Sequence, residues 1–226
     1  MKTTILIADD HALIREGVKA VLSTNDQYSV VGEATNGKET IELLKSTPTD
    51  IVLLDIDMPQ KNGVEVGKWI RSMQLNIKII YITSHADFFS FYQAWKLNPQ
   101  GFLVKENALE DLLNCLSIVV NDQTYYSSET RAYLDKNSEQ IKTYETITTK
   151  LDDLSLKEKQ VLNYIAHNLT TNEIADKVFN SAKTIENHRY NICKKLDISG
   201  SNNLMRFAIQ HFDIIVNLTK KAVKQE

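Results

Sequence analysis

Five times within the first 121 residues a short apolar run gives way to apolar residues at helical spacing, and this alternation limits the fold more than any other feature. The runs are 4–8, 28–34, 51–54, 77–82 and 101–104, followed by helical patterns near 12–23, 37–47, 64–73, 87–97 and 108–121. Runs such as Ile51-Val-Leu-Leu54 carry no polar alternation, which suits strands covered on both faces. Strand and helix in strict succession predict an α/β domain built on a five-stranded, doubly wound parallel sheet. Right-handed crossovers bring the carboxyl ends of all its strands to one rim, where ligands of open α/β sheets bind. Asp9, Asp10, Asp55, Thr83 and Lys105 are the residues delivered there.

The stretch 50–63 shows how one strand serves that rim. Asp55 and Asp57 stand directly beyond the apolar run, Met58-Pro59 stops the strand, and Asn62-Gly63 supplies a tight turn. Acids gathered on one rim repel one another unless a cation joins them, and carboxylate oxygens with a carbonyl and waters form the ligand set of Mg²⁺. One carboxylate can then act as nucleophile toward a phosphoryl group, with Lys105 as a point charge and Thr83 as a hydrogen-bond donor.

These residues resemble the receiver domain of two-component response regulators: Asp9-Asp10, Asp55 with Met58-Pro59, Thr83, and Gly101-Phe-Leu-Val-Lys105. The likeness covers about 1–121 and implies a flavodoxin-like fold. It makes Asp55 the phosphoacceptor, served by a sensor histidine kinase. It gives Mg²⁺ to Asp10 and Asp55, to the backbone carbonyl of Asp57, and to Asp9 in an assisting role. Thr83 and Phe102 become the switch pair, the hydroxyl moving toward the phosphoryl group while the ring turns inward. Glu106 stands where many receivers have proline, and Pro99-Gln100 where small residues are common. Asp57 and His85, each two residues past a key position, are expected to flank the path of attacking water and tune the phosphate lifetime.

Residues 122–150 are polar and strand-poor and read as a linker with one helical piece around 129–144. From 151 onward the pattern is short helices, with capping-box signatures at Ser155–Glu158 and Thr170–Glu173 and a third start at Ser181. Three strings in 151–211 resemble the LuxR/NarL-type helix-turn-helix: Leu154 to Leu162, Asn172 to Ala175, and Ser181 to Arg189. The likeness implies a small all-α DNA-binding domain over 151–226. On the recognition helix Lys183, Arg189, Lys194 and Lys195 can neutralise phosphates, while Glu186, Asn187 and Tyr190, with Lys183 and Thr184 beside them, can reach base edges. The charge of Glu186 is expected to weaken non-specific attraction. By the same likeness Met205 and Ile209 on the last helix form a dimer contact, and the tail from Leu218 is expected to fray.

Composition agrees. The chain has 226 residues, room for two domains. Residues 1–150 hold 15 basic and 20 acidic side chains, a net −5, whereas 151–226 hold 11 and 9, a net +2. Cys115 and Cys193, in different domains, read as buried thiols of a reducing compartment, and no run is long enough to cross a membrane. Together these imply a cytoplasmic transcription regulator that binds double-stranded DNA and is a homodimer at least when phosphorylated or DNA-bound. Its receiver catalyses only its own phosphotransfer and dephosphorylation. Two alternatives follow from the residues: a regulator using the receiver as a phosphorylation-independent dimerisation scaffold, and a haloacid-dehalogenase-like phosphatase suggested by Asp55-Ile-Asp57. The second is disfavoured by Met58-Pro59, which departs from that class's motif.

Overall fold

The computed structural model describes residues 2–84 and 87–223. The chain divides into two compact units, Met1–Asn137 and Ser138–Glu226.

The first unit is a parallel sheet of β1 (Thr3–Ala8), β2 (Tyr28–Ala34), β3 (Ile51–Leu54), β4 (Lys78–Thr83), β5 (Gly101–Val104) and β6 (Tyr125–Tyr126). Its strand order is β2-β1-β3-β4-β5-β6. All five expected strands are there, and β6 is a sixth: it pairs Tyr125 with Gly101 and Tyr126 with Phe102, extending the edge of β5. Two tyrosines in a polar stretch carry no strand period, so only the open edge of β5 defines them as a strand. The chain passes from β1 outward to β2 and then crosses back to β3, so the order reverses between β1 and β3. That crevice is where such sheets hold ligands, and Asp9, Asp10 and Asp55 follow the two strands that border it.

Helices cover both faces. α1 (Ala12–Ser23) and α5 (Ala108–Val120) pack Val18, Leu22, Leu112, Leu116 and Val119 on one side. α2 (Gly37–Ser46), α3 (Gly63–Ser72) and α4 (Phe88–Trp95) pack Ile41, Leu44, Val64, Ile70 and Phe91 on the other. α6 (Ser128–Lys136) joins that second face through Tyr133 and Leu134. With both faces covered, all four residues of β3 are buried, as the unbroken apolar run requires.

Asn62-Gly63 is a helix start rather than a free turn. Asn62 caps α3 in a capping box with Glu65, and Gly63 is the first helical residue. A Cβ at Gly63 would lie 2.0 Å from the carbonyl oxygen of Asp55, while its N–H donates to Ile56 at 2.9 Å. The loop carrying Asp55 can fold back onto α3 only because that side chain is missing.

The second unit contains α7 (Ser138–Asp152), α8 (Leu156–Ala166), α9 (Thr171–Lys177), α10 (Ala182–Leu196), α11 (Ser201–Gln210) and α12 (Phe212–Val223). The capping boxes at Ser155 and Thr170 both form, and Ser181 accepts from the Thr184 N–H. Two expectations differ. The single helical piece around 129–144 is two helices, α6 and α7, interrupted at Asn137, whose side chain donates to the Tyr133 carbonyl at 2.8 Å. The tail from Leu218 does not fray before Val223 but belongs to α12: Ile214, Ile215 and Thr219 are buried, and Asn163 of α8 donates to the Thr219 hydroxyl at 2.6 Å. Burial of one face and a satisfied internal polar pair hold this helix onto α8. Lys224 lies outside the described residues.

Candidate functional site

The rim of the first unit brings Asp9, Asp55 and Lys105 into direct contact. Lys105 Nζ stands 2.8 Å from Asp55 Oδ2 and 2.8 Å from Asp9 Oδ2. Both carboxylates are buried, at 2% and 3% exposure, so the lysine is their principal compensation. Burial pushes the Asp55 carboxyl up to about 6 against the pull of Lys105, with the charge of Asp9 adding to the rise. Burial also opposes the charge on Lys105, but its bonds to Asp55 and then Asp9 outweigh that and hold its pKa above the ordinary lysine value.

Asp10 is exposed, and its Oδ1 lies 2.7 Å from Nδ1 of His11. His11, unremarked in the sequence, also donates its backbone N–H to Asp9 Oδ1 at 2.8 Å, and its ring reaches within 3.5 Å of Lys105 Nζ. Its position next to two acids and just before α1 was the available signal: as the extended N-cap of that helix it turns toward the rim. Asp9, Asp10, His11 and Asp55 each bring one ligand atom within 4.8 Å of the others. Hard carboxylate oxygens converging on a buried, charge-strained site fit a divalent cation of the Mg²⁺ kind.

Asp57 is exposed, and its N–H approaches Asp55 Oδ1 at 3.4 Å, too long for a strong bond. Thr83 is buried at the end of β4 and donates its hydroxyl to the Ser84 carbonyl at 2.7 Å. Phe102 is wholly buried, its ring 4.7 Å from that of Phe91 and 5.5 Å from that of Tyr81. The ring therefore already sits inward. His85 lies outside the described residues.

In the second unit α10 presents Lys183, Glu186, Asn187, Tyr190 and Lys194 to solvent at spacings of three and four. Tyr190 is 70% exposed, and Lys183 pairs with Glu186 at 3.2 Å. A groove of about 680 Å³ beside this face is lined by Glu186, Arg189, Tyr190 and Lys194. Arg189 is half-buried, and burial draws its pKa below the usual guanidinium value. Thr184 turns its hydroxyl to Ser181 at 2.9 Å, inside the helix cap. Lys195 differs most from its neighbours: its Nζ is 2.7 Å from Glu158 Oε2, the carboxylate of the α8 capping box. Ile209 on α11 is 54% exposed and Met205 is partly so. Phe179, in the turn between α9 and α10, is 95% exposed with a left-handed φ of 50°. Its apolar identity gave no hint of that exposure.

Two family profiles match the chain: "Response regulator receiver domain" over residues 5–117 and "Bacterial regulatory proteins, luxR family" over 152–208. The chain is a response regulator. It joins a receiver to a helix-turn-helix of the LuxR type, in a family of two-component transcription regulators that take their signal from histidine kinases, rather than being a classical enzyme. Fimbriae Z protein of Escherichia coli K12 is 29% identical, covering 91% of this response regulator and 96% of that protein. Response regulator UvrY of the same strain is 29% identical over 92% and 94%. Among solved structures, RcsB of Salmonella enterica serovar Typhimurium, bound to a promoter with a phosphomimetic, shares the fold with a TM-score of 0.58. It is 23% identical, with 92% of this chain and 98% of that one covered. Among the described residues of the response regulator, no helix is long and apolar enough to cross a membrane.

Proposed function

We propose that Asp55 accepts a phosphoryl group from a sensor histidine kinase and that this modification controls dimerisation and DNA binding through α10. The observation that carries the reading is the contact of Lys105 with both Asp55 and Asp9 at 2.8 Å. An Asp55 oxygen attacks phosphorus, the bond to the kinase imidazole breaks, and the imidazole keeps the electron pair. The product is an acyl phosphate, and Lys105 is within reach to neutralise its oxygens. Asp9, Asp10 and Asp55, with the Asp57 carbonyl, are the residues to hold Mg²⁺, which would supply further charge neutralisation at the phosphoryl oxygens. Thr83 can turn its hydroxyl from Ser84 to the phosphoryl group. Asp57, exposed two residues past the acceptor, remains the side chain proposed to tune hydrolysis of the acyl phosphate by the receiver itself.

On the output side, Lys183, Arg189 and Lys194 serve DNA phosphates, and Glu186, Asn187 and Tyr190 serve base edges, with Thr184 beside them. Met205 and Ile209 are the proposed contact between DNA-bound copies. The DNA-bound structures of RcsB, which include a pair of dimers on two parallel DNAs, support this arrangement by their shared fold. The test is acyl-phosphate treatment with Mg²⁺, following mass, oligomer size and DNA affinity. Wild type should gain one phosphoryl group and bind its operator more tightly, and Asp55→Ala should do neither. An unmodified wild type, or equal DNA affinity in both proteins, overturns the reading.

A further inference from the structure

Residues 125–136 lie beyond the stretch matched by the receiver profile, yet they are built onto the residues of the switch. Beyond the β6 pairing, the Phe102 carbonyl accepts from the Ser127 N–H at 3.1 Å and from the Thr130 hydroxyl at 3.2 Å. Ser127 and Thr130 are both buried. Asn107, two residues past Lys105, donates to Glu129 at 2.8 Å. The Tyr133 ring lies 4.5 Å from that of Phe91, which in turn packs on Phe102. Between these groups is a cavity of about 160 Å³ lined by Thr83, Phe91, Phe102, Val104, Thr130 and Tyr133.

The cavity matters because of what Thr83 must do. If Asp55 is the phosphoacceptor, on which this inference rests, Thr83 moves toward β3 and away from the cavity, enlarging it. A larger void forfeits contacts and is unfavourable unless a neighbour closes it. Phe102 cannot serve: its ring is already buried between Tyr81 and Phe91, and its carbonyl is held by two hydrogen bonds. Tyr133 is half-buried and stands on a helix at the domain's edge, whereas Phe91 and Phe102 are buried, so it is the lining aromatic with room to move. We propose that Tyr133 is a positioning residue for the switch, and that phosphorylation draws α6 down onto the receiver as Tyr133 closes the space Thr83 leaves. Coupling of this kind is reciprocal, so firm seating of α6 also favours the phosphorylated state.

Hydrogen exchange of the full chain, with and without BeF₃⁻ and Mg²⁺, tests it. Amides over 125–136 should exchange about fivefold more slowly with the phosphoryl mimic, the lower end of usual couplings. Tyr133→Ala should lose that slowing and Tyr133→Phe should keep it, since the ring and not the hydroxyl fills the space. If Tyr133→Ala exchanges fast over 125–136 even without the mimic, Tyr133→Leu replaces it and should lose most of the slowing. Peptides spanning Asp55 and Thr83 report separately on the phosphoacceptor. Protection there with unchanged or faster exchange over 125–136, or equal slowing in Tyr133→Ala, overturns the role of α6 and leaves the phosphoacceptor reading intact. No protection at Asp55 or Thr83 overturns both.

Discussion

Asp55 is asked to be a carboxylate in a place that resists charge. Its pKa of about 6 lies above the ordinary 3.8, so the folded state holds the proton more tightly than the unfolded state does. Between those values the unfolded chain ionises first, so this group's contribution to stability falls as pH rises through that window and stays low above it. Asp55→Asn removes the charge and retains an acceptor for Lys105. At about pH 7.5 it should unfold at higher urea, more stable than wild type by roughly 1–3 kcal/mol, with the gap closing toward pH 4. Equal midpoints across that range would show that Lys105 already compensates Asp55 in full. At the same scale, Asp9 and His11 show what a linear reading misses. Asp9, expected in an assisting role, shares Lys105 directly with Asp55, a contact across 96 positions of sequence that only the sheet order creates.

Helix α10 separates neighbours that look alike in sequence. Lys194 and Lys195 are adjacent and both exposed, but a helix turns about 100° per residue, which brings Lys195 alongside Glu158. Lys194→Ala or Lys183→Ala should weaken DNA binding on all sequences and lower the slope of log affinity against log salt by about 1. Lys195→Met should leave that slope unchanged and instead cost about 1 kcal/mol of stability by taking a partner from a buried carboxylate. A salt titration beside a urea curve separates the two effects. Glu186→Ala should raise non-specific affinity, since it removes an anion from the exposed face and frees Lys183. The capping boxes at Ser155 and Thr170 were legible because capping needs only residues three apart. β6 and α12 were not: a two-residue strand exists through its neighbour, and α12 through the face it lays on α8.

At the scale of the molecule, α6 ends at Lys136 and α7 begins at Ser138, leaving Asn137 as the sole residue between the last helix of one unit and the first of the next. If α6 carries the receiver's state onward, that short joint is how it leaves the unit. Inserting three Gly-Ser residues after Asn137 should leave phosphorylation of Asp55 unchanged and reduce the effect of BeF₃⁻ on DNA affinity, measured as the ratio of Kd with and without the mimic. An unchanged ratio would mean that control does not pass through this joint. The strand-helix alternation, the rim residues Asp9, Asp10, Asp55, Thr83 and Lys105, and the starts of α8, α9 and α10 follow from the sequence by itself. They depend on periods and spacings of a few residues, which local physics reads without a fold. Tertiary structure alone decided that Lys105 bridges two buried acids, that Lys195 pairs with Glu158, that Phe102 is clamped from both sides, and that residues 125–136 belong to the receiver. Each of these depends on burial and on partners brought together from distant positions, and burial is a property of the packed chain.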